Sequence, residues 1–297
     1  MGIGELLDSA FVLYRRNLLL LVAITAVVQV PFAVLNLVVF QLLGVGADLD
    51  AAGSPGFLGT PGNPGSALTD AQLNAVKGLA VYLALVVAVQ MLVVLPLSLA
   101  AMSRAVSDRY LDRPASLGSS YAAALRRLGP LLGAILLLLL IVAGVSALMV
   151  GGVLASSLAG AFGILPAIGL LLAWLLSLPL IAVRSTLFSQ AIVVEGVGSA
   201  GGLRRSWRLT HRFFWRTFAI LLVVFILQTM VGWVLQIPVG LLVSGTTTGT
   251  QELVSQAIGA VTSVVVSPLS LIALTLVYYD LRIRKEAFDI EMLAASL

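Results

Sequence analysis

Six apolar runs dominate the chain, at residues 18–43, 71–102, 129–157, 164–183, 217–243 and 253–280. Each holds at least 20 residues, and a helix rising about 1.5 Å per residue then crosses a hydrocarbon core about 30 Å thick. The pattern predicts an all-α, polytopic membrane protein with six transmembrane helices in a single membrane domain, 1–297. Residues 44–70 are rich in Gly and Pro without a sustained period, which predicts a flexible external loop. Only a few residues around Ala159 to Gly163 separate the third and fourth runs, so these two form a tight hairpin. Small-residue stripes at Gly152, Ser156 and Gly160, and at Ala155, Ala159 and Gly163, suit close helix packing there.

A second pattern precedes the odd-numbered runs. Apolar residues recur at helical spacing at Ile3, Leu7, Ala10 and Tyr14, then at Leu117, Tyr121, Leu125 and Leu128, then at Leu203, Trp207, Thr210, Phe214 and Phe218. Each stripe stands beside a polar face carrying arginine, and Arg15-Arg16, Arg126-Arg127 and His211-Arg212 share one register. Such a helix lies in the inner interface with its stripe in the acyl boundary, or else packs on its own bundle. The even-numbered runs each carry a proline, Pro96, Pro179 and Pro268. The missing N–H and the clash with the preceding turn predict helix kinks there. The repetition predicts three hairpins with amphipathic cytoplasmic lead-in helices, the first over 1–17. Residues 281–297 predict a C-terminal cytoplasmic helix that pairs Arg282 with Glu286 and Lys285 with Asp289 at i,i+4.

Charge orients this bundle. Of the 17 Lys and Arg residues, all but Lys77 fall on one side, while the long loop opposite offers Asp48, Asp50 and Asp70. The positive-inside rule then places both termini in the cytoplasm. The chain is 60% apolar and 10% charged, against roughly half and a quarter in soluble domains. Arginine, Ala, Leu, Val and Gly prevail in the manner of a high-GC bacterial gene, so the expected location is the bacterial cytoplasmic (inner) membrane. The first run far exceeds the roughly 7 to 15 residues of a signal-peptide core, and cleavage is not expected.

The chemical inventory is poor. There is no cysteine, and the one histidine, His211, stands among arginines. No G-x-S-x-G or H-E-x-x-H motif and no metal-ligand spacing occurs, so neither an enzyme, a metal site nor a cofactor is expected. Gly196, Gly198 and Gly201 match G-x-G-x-x-G without a βαβ unit around them and predict a turn. Trp207 and Trp215, beside arginines at the end of a run, predict interfacial aromatics and no nucleic-acid partner. The run cores carry amides but no ionisable residue: Gln29, Asn36, Gln41, Gln90, Gln228 and Gln236. That argues against ion-coupled transport and for hydrogen bonds between helices.

The candidate site is Glu195, Arg204, Arg205, Arg208, Asp280, Arg282 and Arg284, where two carboxylates meet arginine clusters at the inner ends of runs four and six. These residues form a charge network that locks the hairpins, or a site for an anionic lipid headgroup. The alternative is a solvated rim, in which an exposed pair is worth about 0 to 1 kcal/mol.

Residues 190–222, QAIVVEGVGSAGGLRRSWRLTHRFFWRTFAILL, and 276–293, LVYYDLRIRKEAFDIEML, with LLDSAFVLYRRNLLLL near the N-terminus, carry a resemblance over essentially the whole chain. The sequence resembles the bacterial glycerophosphoryl diester phosphodiesterase membrane domain family and its relatives of unknown function. The matching residues are Glu195, Gly196, Arg205, Ser206, Trp207, Leu209, Trp215, Tyr279, Asp280, Arg282 and Arg284. The resemblance implies a six-helix membrane module of uncharacterised activity. Some members carry a phosphodiesterase barrel after it; this sequence holds none, so no hydrolase activity is implied. The expected function is non-enzymatic: organising or sensing membrane lipids, anionic ones among them, or scaffolding a protein partner through the basic face. The alternative is a channel or permease for an uncharged or amphiphilic solute, with its site between proline-bearing helices.

Overall fold

The computed structural model describes residues 2–47, 70–158 and 160–286. Among them every regular element is helical: α1 (Ile3–Arg16), α2 (Leu18–Leu42), α3 (Asp70–Val89), α4 (Leu95–Tyr110), α5 (Leu117–Arg126), α6 (Leu128–Ser157), α7 (Ile164–Ser185), α8 (Ser199–Thr210), α9 (Phe214–Val243) and α10 (Thr248–Glu286). Six stretches of the described residues are long and apolar enough to cross a membrane: Leu18–Leu42, Leu73–Tyr110, Leu128–Ser157, Ile164–Glu195, Phe214–Val243 and Gly249–Glu286. The chain is thus a multi-pass membrane protein. Leu140, Leu148, Leu176 and Leu242 are each at least 70% exposed, an apolar surface that water would not tolerate and lipid does.

Several ends differ from the sequence reading. The second stretch continues to Tyr110 because Ala105, Val106 and Ser107 remain buried beyond residue 102. The fourth runs on past residue 183 through a π turn at Ala191–Glu195. Residues 281–286 continue α10 instead of starting a separate helix; the rest of 281–297 lies outside the described residues. Of the expected loop 44–70, residues 45–47 are helical and Asp70 opens α3, while 48–69 lie outside the described residues.

Pro96 follows a π turn, Gln90–Val94, in which the Leu95 N–H reaches back to Gln90 O. Widening the helix by one residue just before a proline relieves its clash with the preceding turn. Pro179 and Pro268 lie inside α7 and α10, and prolines also interrupt α2 (Pro31) and α9 (Pro238). Proline therefore does not distinguish the even-numbered stretches.

The chain divides into two compact units, one of Met1–Asn17, Leu99–Val224 and Leu269–Leu297, the other of Leu18–Ser98 and Phe225–Pro268. In the first, α6 and α7 form a close hairpin. Trp174 Nε1 donates to Ser146 Oγ at 3.1 Å, and a Cβ at Gly152 would lie 2.7 Å from Leu170 Cδ1. At the turn of this hairpin a Cβ on Gly163 would fall 1.7 Å from the Ser156 carbonyl oxygen, so only glycine fits. Tyr110 stacks on the buried Tyr279 with ring centroids 5.0 Å apart. In the second unit Phe40, Val45 and Tyr82 form a small core, and Thr25 Oγ1 donates to Val264 O at 2.9 Å, joining α2 to α10.

The helices before α2, α6 and α9 bury faces that coincide only in part with the apolar stripes: Ala10 of α1 and Leu203 and Thr210 of α8 are buried members of theirs, whereas Leu117 and Leu125 of α5 are exposed. α1 buries Leu6 and Ala10, α5 buries Ser120 and Ala124, and α8 buries Gly202, Leu203, Ser206, Leu209 and Thr210. Leu117, Leu125 and Trp207 are exposed instead. Small residues admit close backbone approach and therefore face protein, while the large apolar ones are left for lipid.

Candidate functional site

α8 is positioned by glycine. A Cβ on Gly202 would lie 2.5 Å from Ile192 Cγ1 and 3.3 Å from Phe188 O, and one on Gly133 of α6 would lie 2.4 Å from Ser199 Oγ. Gly196 ends the π turn in the left-handed region, at φ +74. This is the turn that the glycine motif predicts.

The close seating of α8 brings Arg205 to the end of that turn. Its Nε donates to both carboxylate oxygens of Glu195, each at 2.9 Å. Its Nη groups grip Glu286 in the bidentate manner, Nη2 to Oε2 at 2.6 Å and Nη1 to Oε1. Tyr278 O–H also donates to Glu195, and Arg282 lies 3.8 Å from Glu195 and 3.4 Å from Glu286. The last distance is the i,i+4 pair expected from spacing. Two carboxylates and two guanidiniums so arranged are formally neutral, and Arg205, Glu195 and Arg282 are each less than 20% exposed. The Glu286 hydrogen bonds above all, and the Glu195 pair beside them, raise the Arg205 pKa above its ordinary value. The guanidinium stays charged under all ordinary conditions.

Asp280 serves a second cluster. It accepts from Arg216 Nη2 at 3.0 Å and from Arg284 Nε at 3.1 Å, and is itself buried. The structure thus divides the expected network into a group around Glu195 and a group around Asp280. Arg204 and Arg208 join neither group by any ion pair among the described residues; both are exposed, and the Arg208 carbonyl accepts from Lys285 Nζ. Trp207 lies under Arg184, whose guanidinium carbon is 5.3 Å from the ring centroid. Trp215 is 77% exposed and meets Phe214 edge-on at 5.5 Å.

Tyr278, Glu286 and Arg216 complete the site without having stood in the candidate set. Glu286 carried a signal, its spacing from Arg282. Arg216 carried one as well, as the last basic residue before α9. Tyr278 carried none beyond its place next to Tyr279 and Asp280. Among the described residues no group of three or more His, Cys, Asp or Glu side chains is placed to hold a metal ion. The arginines of the site are of two kinds: those spent on carboxylates and those turned outward. No curated protein and no solved structure matches the chain. A family model covers residues 1–281, and the chain belongs to that family, described as a domain of unknown function, DUF7847.

Proposed function

We propose that this is a non-enzymatic protein of the bacterial inner membrane that binds and organises lipid through its cytoplasmic basic face, with both termini in the cytoplasm. The observation that carries the reading is the outer face of α8. Arg204, Trp207, Arg208 and His211 are all exposed and recur at i, i+3, i+4 and i+7, one stripe of a helix. The opposite face is buried in protein, so what the stripe meets is solvent or membrane. Tryptophan beside arginine on a helix leading into an apolar stretch is the composition of a membrane–water interface. Each Lys or Arg near an anionic leaflet adds about 1 kcal/mol of attraction.

The same reading gathers α1, α5 and α8 into one repeated device, a lead-in helix before each of three hairpins. Its support is local. Asn17 (φ −123, ψ 25), just after Arg15-Arg16, and Arg127 (φ −108, ψ 6), the second of Arg126-Arg127, break the helix in nearly the same way, and α1, α5 and α8 leave Phe11, Leu125 and Trp207 outside. Native mass spectrometry of the protein released in mild detergent tests the function. Retained anionic lipid is the expected result, and retention of zwitterionic lipid only, or of none, sinks the reading.

One observation favours a second reading, a permease for a small uncharged solute. A cavity of about 280 Å³ in the second unit is lined by Gln29, Asn36, Gln90, Gln256 and Ser263 among others. The side-chain oxygens of Gln90 and Gln256 are buried there without a hydrogen-bond partner among the described residues. Buried acceptors of this kind call for a donor, water or solute. Saturable flux of an uncharged polyol into proteoliposomes, abolished by Gln90→Leu, would establish it; flux that Gln90→Leu leaves intact would remove it.

A further inference from the structure

Three arginines near the ends of α4 and α5 stand apart from both ion-pair clusters. Arg104, Arg126 and Arg127 line an open cleft of about 430 Å³, closed by Ser119, Ala122 and Val193. One carboxylate is paired with any of them among the described residues: Asp108 accepts from Arg104 Nε at 2.9 Å. Three guanidiniums against one carboxylate leave the cleft with a formal charge of +2.

Two of the three are held before any ligand arrives. Arg104 is fixed by its i,i+4 pair with Asp108, whose side chain is only 8% exposed. Arg127 lies over Gly196, donating from Nη1 to the glycine carbonyl at 3.2 Å. A Cβ on Gly196 would come within 2.8 Å of Arg127 Nη2, so the glycine makes room for the guanidinium as well as for the turn. Arginines already ordered lose little entropy on binding. Their planar forks match the oxygens of a phosphate better than a halide or a single carboxylate oxygen would. Leu125, next to Arg126 in sequence, is 62% exposed, and Leu117 on the same helix is exposed too. α5 therefore offers apolar side chains beside a cationic cleft.

We propose that this cleft is a phosphate-ester site. The headgroup phosphate of a membrane lipid is one source of the ligand and a soluble phosphate compound the other; the first source rests on the lipid reading above, the second does not. The shared chemistry is the non-bridging phosphate oxygens, two in a lipid diester and three in a soluble monoester, received by the guanidiniums, with no bond made or broken.

The test uses the full chain in detergent, with phosphatidylglycerol against phosphatidylcholine as lipid probes and glycerol 3-phosphate as the soluble one. Three variants are compared: Arg126→Gln with Arg127→Gln, Ala122→Glu, and Arg204→Gln with Arg208→Gln. Ala122→Glu keeps every arginine and places a carboxylate in the cleft, so it reports even where the double arginine variant fails to fold. Loss of two phosphate contacts should weaken phosphatidylglycerol binding about 30-fold. That loss in the two cleft variants, with a clearly smaller loss in Arg204→Gln/Arg208→Gln, which thins only the α8 stripe, supports the cleft. Loss in the Arg204/Arg208 variant alone, or equal loss in all three, overturns it and leaves lipid binding to the face as a whole. Wild type that ignores phosphatidylglycerol but is stabilised by glycerol 3-phosphate, with Ala122→Glu not stabilised, keeps the cleft and removes the lipid reading. Wild type that responds to neither probe overturns both.

Discussion

Arg205 Nε sits 2.9 Å from each carboxylate oxygen of Glu195 while the far edge of the same guanidinium holds Glu286. One planar cation thereby ties the turn after α7 to α8 and to the end of α10. Lysine has a single point charge and cannot donate along two edges. Arg205→Lys should cost about 2 kcal/mol, between the value of an exposed pair and that of a buried one. Thermal unfolding in detergent measures it, and an unchanged midpoint would show that the network is ornamental.

Asp280 accepts from both Arg216 and Arg284. Asp280→Ala removes the negative charge beside two partly buried guanidiniums. The loss should approach the roughly 3 kcal/mol typical of breaking a buried pair from one side. A variant that unfolds at the wild-type temperature would deny Asp280 a structural role.

The hairpin of α6 and α7 depends on Gly163. An added methyl would fall 1.7 Å from the Ser156 carbonyl oxygen, a backbone atom that no rotamer change can move aside. Gly163→Ala should therefore lower yield or melting temperature markedly, whereas Gly144→Ala, with open space at its Cβ, should not. Equal tolerance of both substitutions would contradict the close turn.

Tyr121 offers a pH test outside the apolar stretches. Burial pushes its phenol up to about 12 from an ordinary 10.0. The unfolded chain ionises first, so the contribution to stability is whole below pH 10 and is lost as pH rises through about 12. The ultraviolet difference titration of wild type against Tyr121→Phe should show one phenol ionising late; a step at the ordinary value would place Tyr121 in water.

Much of this was legible in the sequence. Long apolar runs report the bilayer directly, because its thickness fixes their length. The carboxylates that matter, Glu195 and Asp280, stood out as isolated acids beside arginines. The environment of the lead-in stripes was left open: spacing grouped Leu117 and Leu125 on one face of α5, to meet either the acyl boundary or the bundle. The structure packs Ser120 and Ala124 and leaves both leucines out, as lipid surroundings require. The continuation of α4 was hidden because Ala105, Val106 and Ser107 pack although the stretch reads as polar. Arg104, Arg126 and Arg127 counted in the sequence only toward orientation, because residues 104 and 126 approach one another only through folding.

Ser206 has a consequence for how this region opens. Its hydroxyl donates to the Arg184 carbonyl at 2.6 Å and accepts from the Leu187 N–H at 3.1 Å, so a side chain of α8 completes the backbone bonding where α7 stops. Leu187 cannot expose its amide unless α8 departs. Hydrogen exchange at Leu187 should then follow the protection of α8, not the fraying of a helix end, and the two helices open as one cooperative unit.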